Sequence, residues 1–443
     1  MSSESRLPAD PVARVTRLAP VRGQAPSSRV TSLTGEMSQT LLSNGVRVLT
    51  ERIPGVRSAA IGVWVRQGSA HEALELMGAS HLLEHLVFKG TRKRSSREIA
   101  MALESLGGSL DAYTSREHTG FQARVLDEHL PLALEVLADL VLDPLLRDED
   151  LELEREVVLE EIATVEDTPD DLVFDLHGAR LWGGHPYGNT ILGTRDTVQG
   201  MPPQALRDLH RARYTGQNIV VAAAGQVAHT DVLAQVEVLF GGLPMGTETA
   251  ALPEIPAQAV GEEKVDRSSS QTHLVFGGAI PGHSDPRRFP LALLSSAMGG
   301  GMSSRLFQRV REELALVYSV FTFQSFYSKA GVSGVYLGTR PSSAEKAVEA
   351  VREELDKVAQ NGMNEEELEQ IKQQVKGQIM LSLESTGARL HRLASFALHG
   401  EPFTTLDDLL GKIDGVTQNQ VAEMAGEFFS PEGLLLLRLG PGT

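Results

Sequence analysis

Cysteine is absent from all 443 residues. That excludes disulfides, thiolate metal ligands and a cysteine nucleophile, and leaves imidazoles and carboxylates as the donors for any metal. Long apolar runs are missing too: no uninterrupted stretch approaches the ~18 residues that span a bilayer, so no membrane partner is expected. Short runs such as Ile61 to Val65 and Ile219 to Ala224 read instead as buried strands. No apolar leader core stands near the N-terminus, and the expected setting is cytoplasmic, bacterial by default. Positive charge is in deficit, 41 Lys and Arg against 58 Asp and Glu, which leaves a formal charge of −17. Nucleic-acid phosphates need clustered cations, so nucleic acid is not an expected partner. The acidic balance suits basic substrates, or simply a solvated surface.

A chain of this length exceeds one ordinary core, and two domains are expected. Residues 1–35 are interrupted by Pro8, Pro11, Pro20 and Pro26 and carry five arginines, among them Arg6 and Arg14. With no hydrophobic period, they read as a disordered, basic extension. A first domain is expected over residues 36–245 and a second over 263–443. Between them, residues 246–262 shift to Pro, Ala, Gly and Thr, a linker composition.

Within the first domain, Asn44-Gly45 signals a hairpin turn and Ala59 to Arg66 a strand. Ser95-x-x-Glu98 is a capping box, Phe121, Ala123 and Val125 alternate as a strand, and Leu130 to Leu142 is helical. A long charged helix runs from Asp148 to about Glu166. A second such helix starts near Asn364, and Asp150-Leu151-Glu152 resembles Glu367-Leu368-Glu369, 217 positions further on. The parallel predicts two halves of similar architecture. Gly299-Gly300-Gly301 lacks the Lys-Ser/Thr of a phosphate loop and reads as a tight turn. Ser303 to Leu314 reads as helical, Gly331 to Leu337 alternates as a strand, and Leu434 to Leu439 reads as a closing strand.

The chemistry concentrates in His81-Leu82-Leu83-Glu84-His85. Residues four apart share one face of a helix, so both imidazoles can address one cation. Leu82, Leu83, Leu86 and Val87 anchor the other faces, and Glu84 lies near enough to take a proton from water at that cation. Catalytic zinc takes a third protein ligand. Glu154, Glu156, Glu160, Glu161 and Glu166 on the charged helix are the candidates, and spacing alone does not choose among them.

The stretch Ser80-His81-Leu82-Leu83-Glu84-His85-Leu86-Val87-Phe88-Lys89-Gly90-Thr91 resembles the zinc signature of the pitrilysin-type (M16, inverzincin) metallopeptidases. The run from Glu154 to Ile162 is similar to that family's downstream segment. So are His185-Pro186-Tyr187-Gly188 with Ile191-Leu192-Gly193, Ser303 to Phe307, and Arg311 to Tyr318. The length matches the branch of the mitochondrial processing peptidase catalytic subunit and its bacterial relatives.

The resemblance implies an α+β fold of two similar halves, each an antiparallel-rich mixed sheet with helices packed on one side. It implies one Zn²⁺ per chain held by His81, His85 and Glu161, with Glu154 supporting the site and Glu84 as the base. It further implies a zinc endopeptidase that cleaves unfolded peptides or flexible segments in a chamber closed by two chains, as a homodimer. Arg311 and Tyr318 would act on the partner chain's site. Read from residue type alone, Arg311 belongs at the surface and Tyr318 in the core. Gly107 to Thr114 resembles the family's substrate-pairing edge strand, with Asp111 and Ala112 as substrate-binding positions; the family often has Asn where Asp111 stands. A catalytically silent structural or peptide-binding subunit is the alternative the same family offers.

Overall fold

The computed structural model describes residues 15–17, 27–32 and 35–442. Eight strands make the first sheet: β1 (Val15–Arg17), β2 (Ser27–Ser32), β3 (Gly35–Leu41), β4 (Arg47–Arg52), β5 (Ser58–Val65), β6 (Ser109–Thr114), β7 (Thr119–Leu126) and β8 (Ile219–Gly225). Their order is β1-β2-β3-β4-β8-β5-β7-β6. Five more form the second sheet: β9 (Gly261–Asp266), β10 (Thr272–Pro281), β11 (Val317–Phe326), β12 (Ala330–Thr339) and β13 (Leu435–Gly440), in the order β11-β12-β10-β13-β9.

The two sheets repeat one topology. The order β4-β8-β5-β7-β6 in the first is β9-β13-β10-β12-β11 in the second. The parallel pair falls at the same place in each, β4 with β8 and β9 with β13, and the other pairings are antiparallel. The charged helices Asp148–Asp167 and Glu365–Ser382 start 217 positions apart, as the sequence parallel predicts.

Each half packs its own helices on one face of its sheet. In the first half, Ile61, Val63, Val221 and Phe121 meet Leu82, Leu83 and Leu86 of the helix Ala79–Val87 and Leu134 and Leu137 of the helix Leu130–Leu142. In the second, Leu274, Phe276 and Leu436 meet Leu291 and Leu294 of the helix Arg288–Gly299. The opposite faces are covered by exchange. The first half's helix Pro169–Leu181 lies on β10 and β13, where Val173 packs with Val275, Tyr336 and Leu437. The second half's helix Thr386–Leu398 lies on β4, β5 and β8, where Leu390, Leu393 and Ala397 pack with Trp64, Val220 and Ala222.

This exchange explains why β5 and β8 read as unbroken apolar runs. Alternate residues point to opposite faces of a strand, and here both faces are dry. Ile61 and Val63 enter one core while Ala60 and Trp64 enter the other.

Two expectations differ from the structure. Part of the segment read as an irregular tail, residues 15–17 and 27–32, forms strands that extend the sheet beyond β3. Backbone pairing to an open edge needs no hydrophobic period, so the composition gave no warning. The rest of that segment lies outside the described residues. Of the helix expected around Ser303 to Leu314, Phe307–Glu313 is a π-helical turn. No helix among the described residues is long and apolar enough to cross a membrane.

Candidate metal centre

The helix Ala79–Val87 is fixed at its start. Gly78 adopts φ +89°, and a side chain there would meet the Leu192 carbonyl at 2.5 Å. Gly193, at φ +80°, presses against Met77 from the other side, so the Ile191-Leu192-Gly193 motif is a seat for this helix. From the preceding loop, Glu72 accepts hydrogen bonds from the backbone N–H groups of Gly78 (2.8 Å) and Ser80 (2.6 Å). It thereby satisfies donors that a helix start leaves free. Leu82, Leu83, Leu86 and Val87 are buried, while His81, Glu84 and His85 face a half-open edge.

The charged helix Asp148–Asp167 crosses that edge. His81, His85 and Glu161 each offer a ligand atom, all within 4.8 Å of one another. His81 Nε2 stands 3.6 Å from one Glu161 oxygen and His85 Nε2 3.7 Å from the other. Two donors on one tetrahedral zinc lie about 3.4 Å apart, given bonds of roughly 2.0–2.2 Å, so the donor set fits that ion closely. Burial holds His81 down to about 4, so its ring is neutral with a lone pair to give at pH 7.

Glu154 lies deep, 5% exposed. One of its oxygens accepts from His85 Nδ1 at 2.9 Å, which leaves Nε2 of that ring as the acceptor facing Glu161. The other pairs with Lys89. Glu156 and Glu160 are exposed. Glu166 pairs with Arg195 (2.6 Å).

Glu84 accepts a hydrogen bond from the Thr114 hydroxyl at 2.6 Å. Burial raises its carboxyl above the ordinary range, while the Thr114 bond and the His85 ring pull the other way. Thr114 ends β6, the outermost strand of the first sheet, and Asp111 and Ala112 lie on the same strand. Ala112 packs toward the helices and Asp111 is exposed.

Arg311 sits with its guanidinium 4.6 Å from the Phe307 ring and 5.0 Å from the Tyr318 ring. Tyr318 is 79% exposed rather than in the core. It is the extra residue of a β-bulge between Val317 and Ser319 on the edge strand β11, and the bulge lets its ring stand out of the sheet while Val317 and Val320 on either side stay buried.

Three supporting residues escape a reading of the sequence. Lys89 lies four positions after His85, a spacing that puts both on one face. Thr114 follows Ala112 by two, the strand period that shares a face. Glu72 carries no local signal, because it reaches its helix across a loop.

The Insulinase (Peptidase family M16) domain family matches residues 47–195, and the Peptidase M16 inactive domain family matches residues 201–375. An uncharacterized zinc protease of Streptomyces coelicolor is 40% identical over 398 residues, 88% of this chain and 87% of its own length. The chain belongs to peptidase family M16. The uncharacterized zinc protease YmxG of Bacillus subtilis, 38% identical, aligns over 89% of this M16 chain and 96% of its own. Two solved structures share the fold. The peptidase M16 inactive domain from Pseudomonas fluorescens has a TM-score of 0.86 at 21% identity, covering 92% of this chain and 98% of that one. A protease from Helicobacter pylori has 0.85 at 22%, covering 92% and 100%. In this M16 protein the half without the triad carries neither His nor carboxylate on the helix Arg288–Gly299, the counterpart of the helix holding His81 and His85.

Proposed function

We propose that this chain is a zinc-dependent endopeptidase of unfolded peptides and flexible segments. The observation that carries the reading is the convergence of His81, His85 and Glu161 on one point, with Glu84 beside them. One zinc ion held by these three would supply a charge that acidifies water and polarises a scissile carbonyl. Glu84 takes the proton of the attacking water and delivers it to the leaving amine. Its burial supports that role, since a carboxyl raised above the ordinary range is a stronger base toward water. Glu154 holds the His85 ring in the tautomer that binds metal. The edge strand β6 pairs with substrate backbone around Asp111 and Ala112. Arg311 and Tyr318 hydrogen-bond substrate and the developing oxyanion at the site of a second copy, in a homodimer that encloses the peptide.

The test compares zinc-loaded wild type with Glu84→Gln on a mixed peptide library, read by mass spectrometry. Cleavage by the wild type is expected, with a ~10²–10⁴-fold loss in the variant and one zinc retained by both. Intact peptides from both folded, zinc-loaded proteins would overturn the peptidase reading in favour of a binding subunit. An excess of cuts beside Lys and Arg would tie the acidic surface to substrate choice.

A further inference from the structure

The base is held by a strand that is itself held from the other half. The hairpin β6–β7 runs from Ser109 to Leu126, and Thr114 is the last residue of its first strand. Leu110 and Ala112 pack against the first core, so Thr114, next in the alternation, faces the helix that carries Glu84. Its hydroxyl donates to Glu84 at 2.6 Å, and Thr119, directly opposite, backs it at 3.5 Å. Thr119 in turn donates to the Gln67 carbonyl at 2.9 Å.

The turn beyond Thr114 is clamped. The carbonyls of Ser115 and Arg116 accept from the backbone N–H groups of Ser69 and Ala70 (3.1 and 2.8 Å). Glu117 accepts from the backbone N–H and hydroxyl of Ser328, each at 3.0 Å, in the β11–β12 turn of the second half. It also accepts from the Tyr187 hydroxyl at 2.7 Å, whose oxygen accepts from Lys329 N–H at 3.2 Å. Arg116 donates to the Tyr187 carbonyl at 2.8 Å. Glu117 thus ties the hairpin tip to the second half directly at Ser328 and, through the Tyr187 hydroxyl of its own half, to Lys329.

We propose that Thr114 is a positioning residue for Glu84, and that Glu117 sets Thr114 by anchoring the hairpin to the second half. Thr114 is not among the three ligands, and its hydroxyl bonds to Glu84; it acts through the orientation of that carboxylate. The proposal rests on Glu84 as the base, and extends that reading to the half that carries no metal ligands.

The test measures kcat and KM on a quenched fluorescent peptide for the full-length, zinc-loaded protein, with zinc content and thermal midpoint recorded for each variant. Thr114→Val is expected to lower kcat ~10–100-fold with KM within about twofold and one zinc per chain retained, because a small misplacement of a catalytic group costs this much. Thr114→Ser, which restores the hydroxyl, recovers most of kcat. Thr114→Ala serves the same comparison if valine is not accommodated. Glu117→Ala is expected to lower kcat in the same sense, and Thr114→Val/Glu117→Ala to fall no further than the worse single change. A Thr114→Val enzyme with wild-type kcat, a Ser variant as slow as the Val variant, or a loss confined to KM would overturn the role of Thr114. Independent, additive losses would overturn its link to Glu117. If Glu84→Gln cleaves at the wild-type rate, it is the assignment of the base that fails.

Discussion

Glu154 has one oxygen on the His85 ring and the other on Lys89, and almost no exposure to water. A carboxylate so placed does nothing to substrate; it decides which nitrogen of His85 carries the proton. Glu154→Ala frees the ring to rotate and change tautomer. Zinc affinity is then expected to fall ~10–100-fold, the effect of removing such a partner from a ligating histidine. Competition with a chromophoric chelator measures it. An unchanged affinity would mean that His85 is held by its packing alone. Legibility at this scale was uneven. His81, Glu84 and His85 stand out because helical spacing is written locally, whereas choosing Glu161 over its neighbours needs the crossing of two helices. Tyr318 misled because residue type predicts burial and says nothing of a bulge.

The helices Pro169–Leu181 and Thr386–Leu398 are each stranded without the other half. Each buries its apolar face on a sheet it is not covalently part of, and each sheet without its visitor exposes residues such as Val275 and Leu437 or Ala60 and Trp64. Neither half is therefore expected to unfold cooperatively alone. Two fragments divided between residues 246 and 260 should fold when expressed together and copurify, with circular dichroism and co-elution as the readouts. Independent folding of either fragment, with a sharp thermal transition, would show that the exchange is dispensable. The elements were legible one by one. The capping box at Ser95, the helix Leu130–Leu142, the strand β12 and the closing strand β13 all announce themselves by period or cap. Their exchange was not, because a helix carries the same amphipathic pattern whichever sheet it covers.

Across the whole molecule, histidines gather where the halves meet. His118 and His71 belong to the first half, His283, His391 and His399 to the second, and His283 stacks on His399 with ring centres 3.8 Å apart. His177 sits on the exchanged helix against the Leu435 carbonyl. Burial is the largest cause in holding His71, His118 and His177 down to about 4, against an ordinary 6.5. A base depressed in the folded state stabilises above its unfolded value and loses that stability as pH falls through the folded one. Each of the three contributes on the order of 3 kcal/mol, present above pH 6.5 and lost between there and about pH 4. The thermal midpoint is expected to be flat from pH 7 to 8 and to drop steeply below pH 6. His118→Gln should flatten that slope; an equally steep fall in the variant would assign the acid sensitivity elsewhere. The same junction has a consequence for dilution. Two separate halves would part as their concentration dropped, but residues 246–260 keep each partner at an effective concentration on the order of millimolar. The embrace of the halves is thus insensitive to how little protein a cell makes.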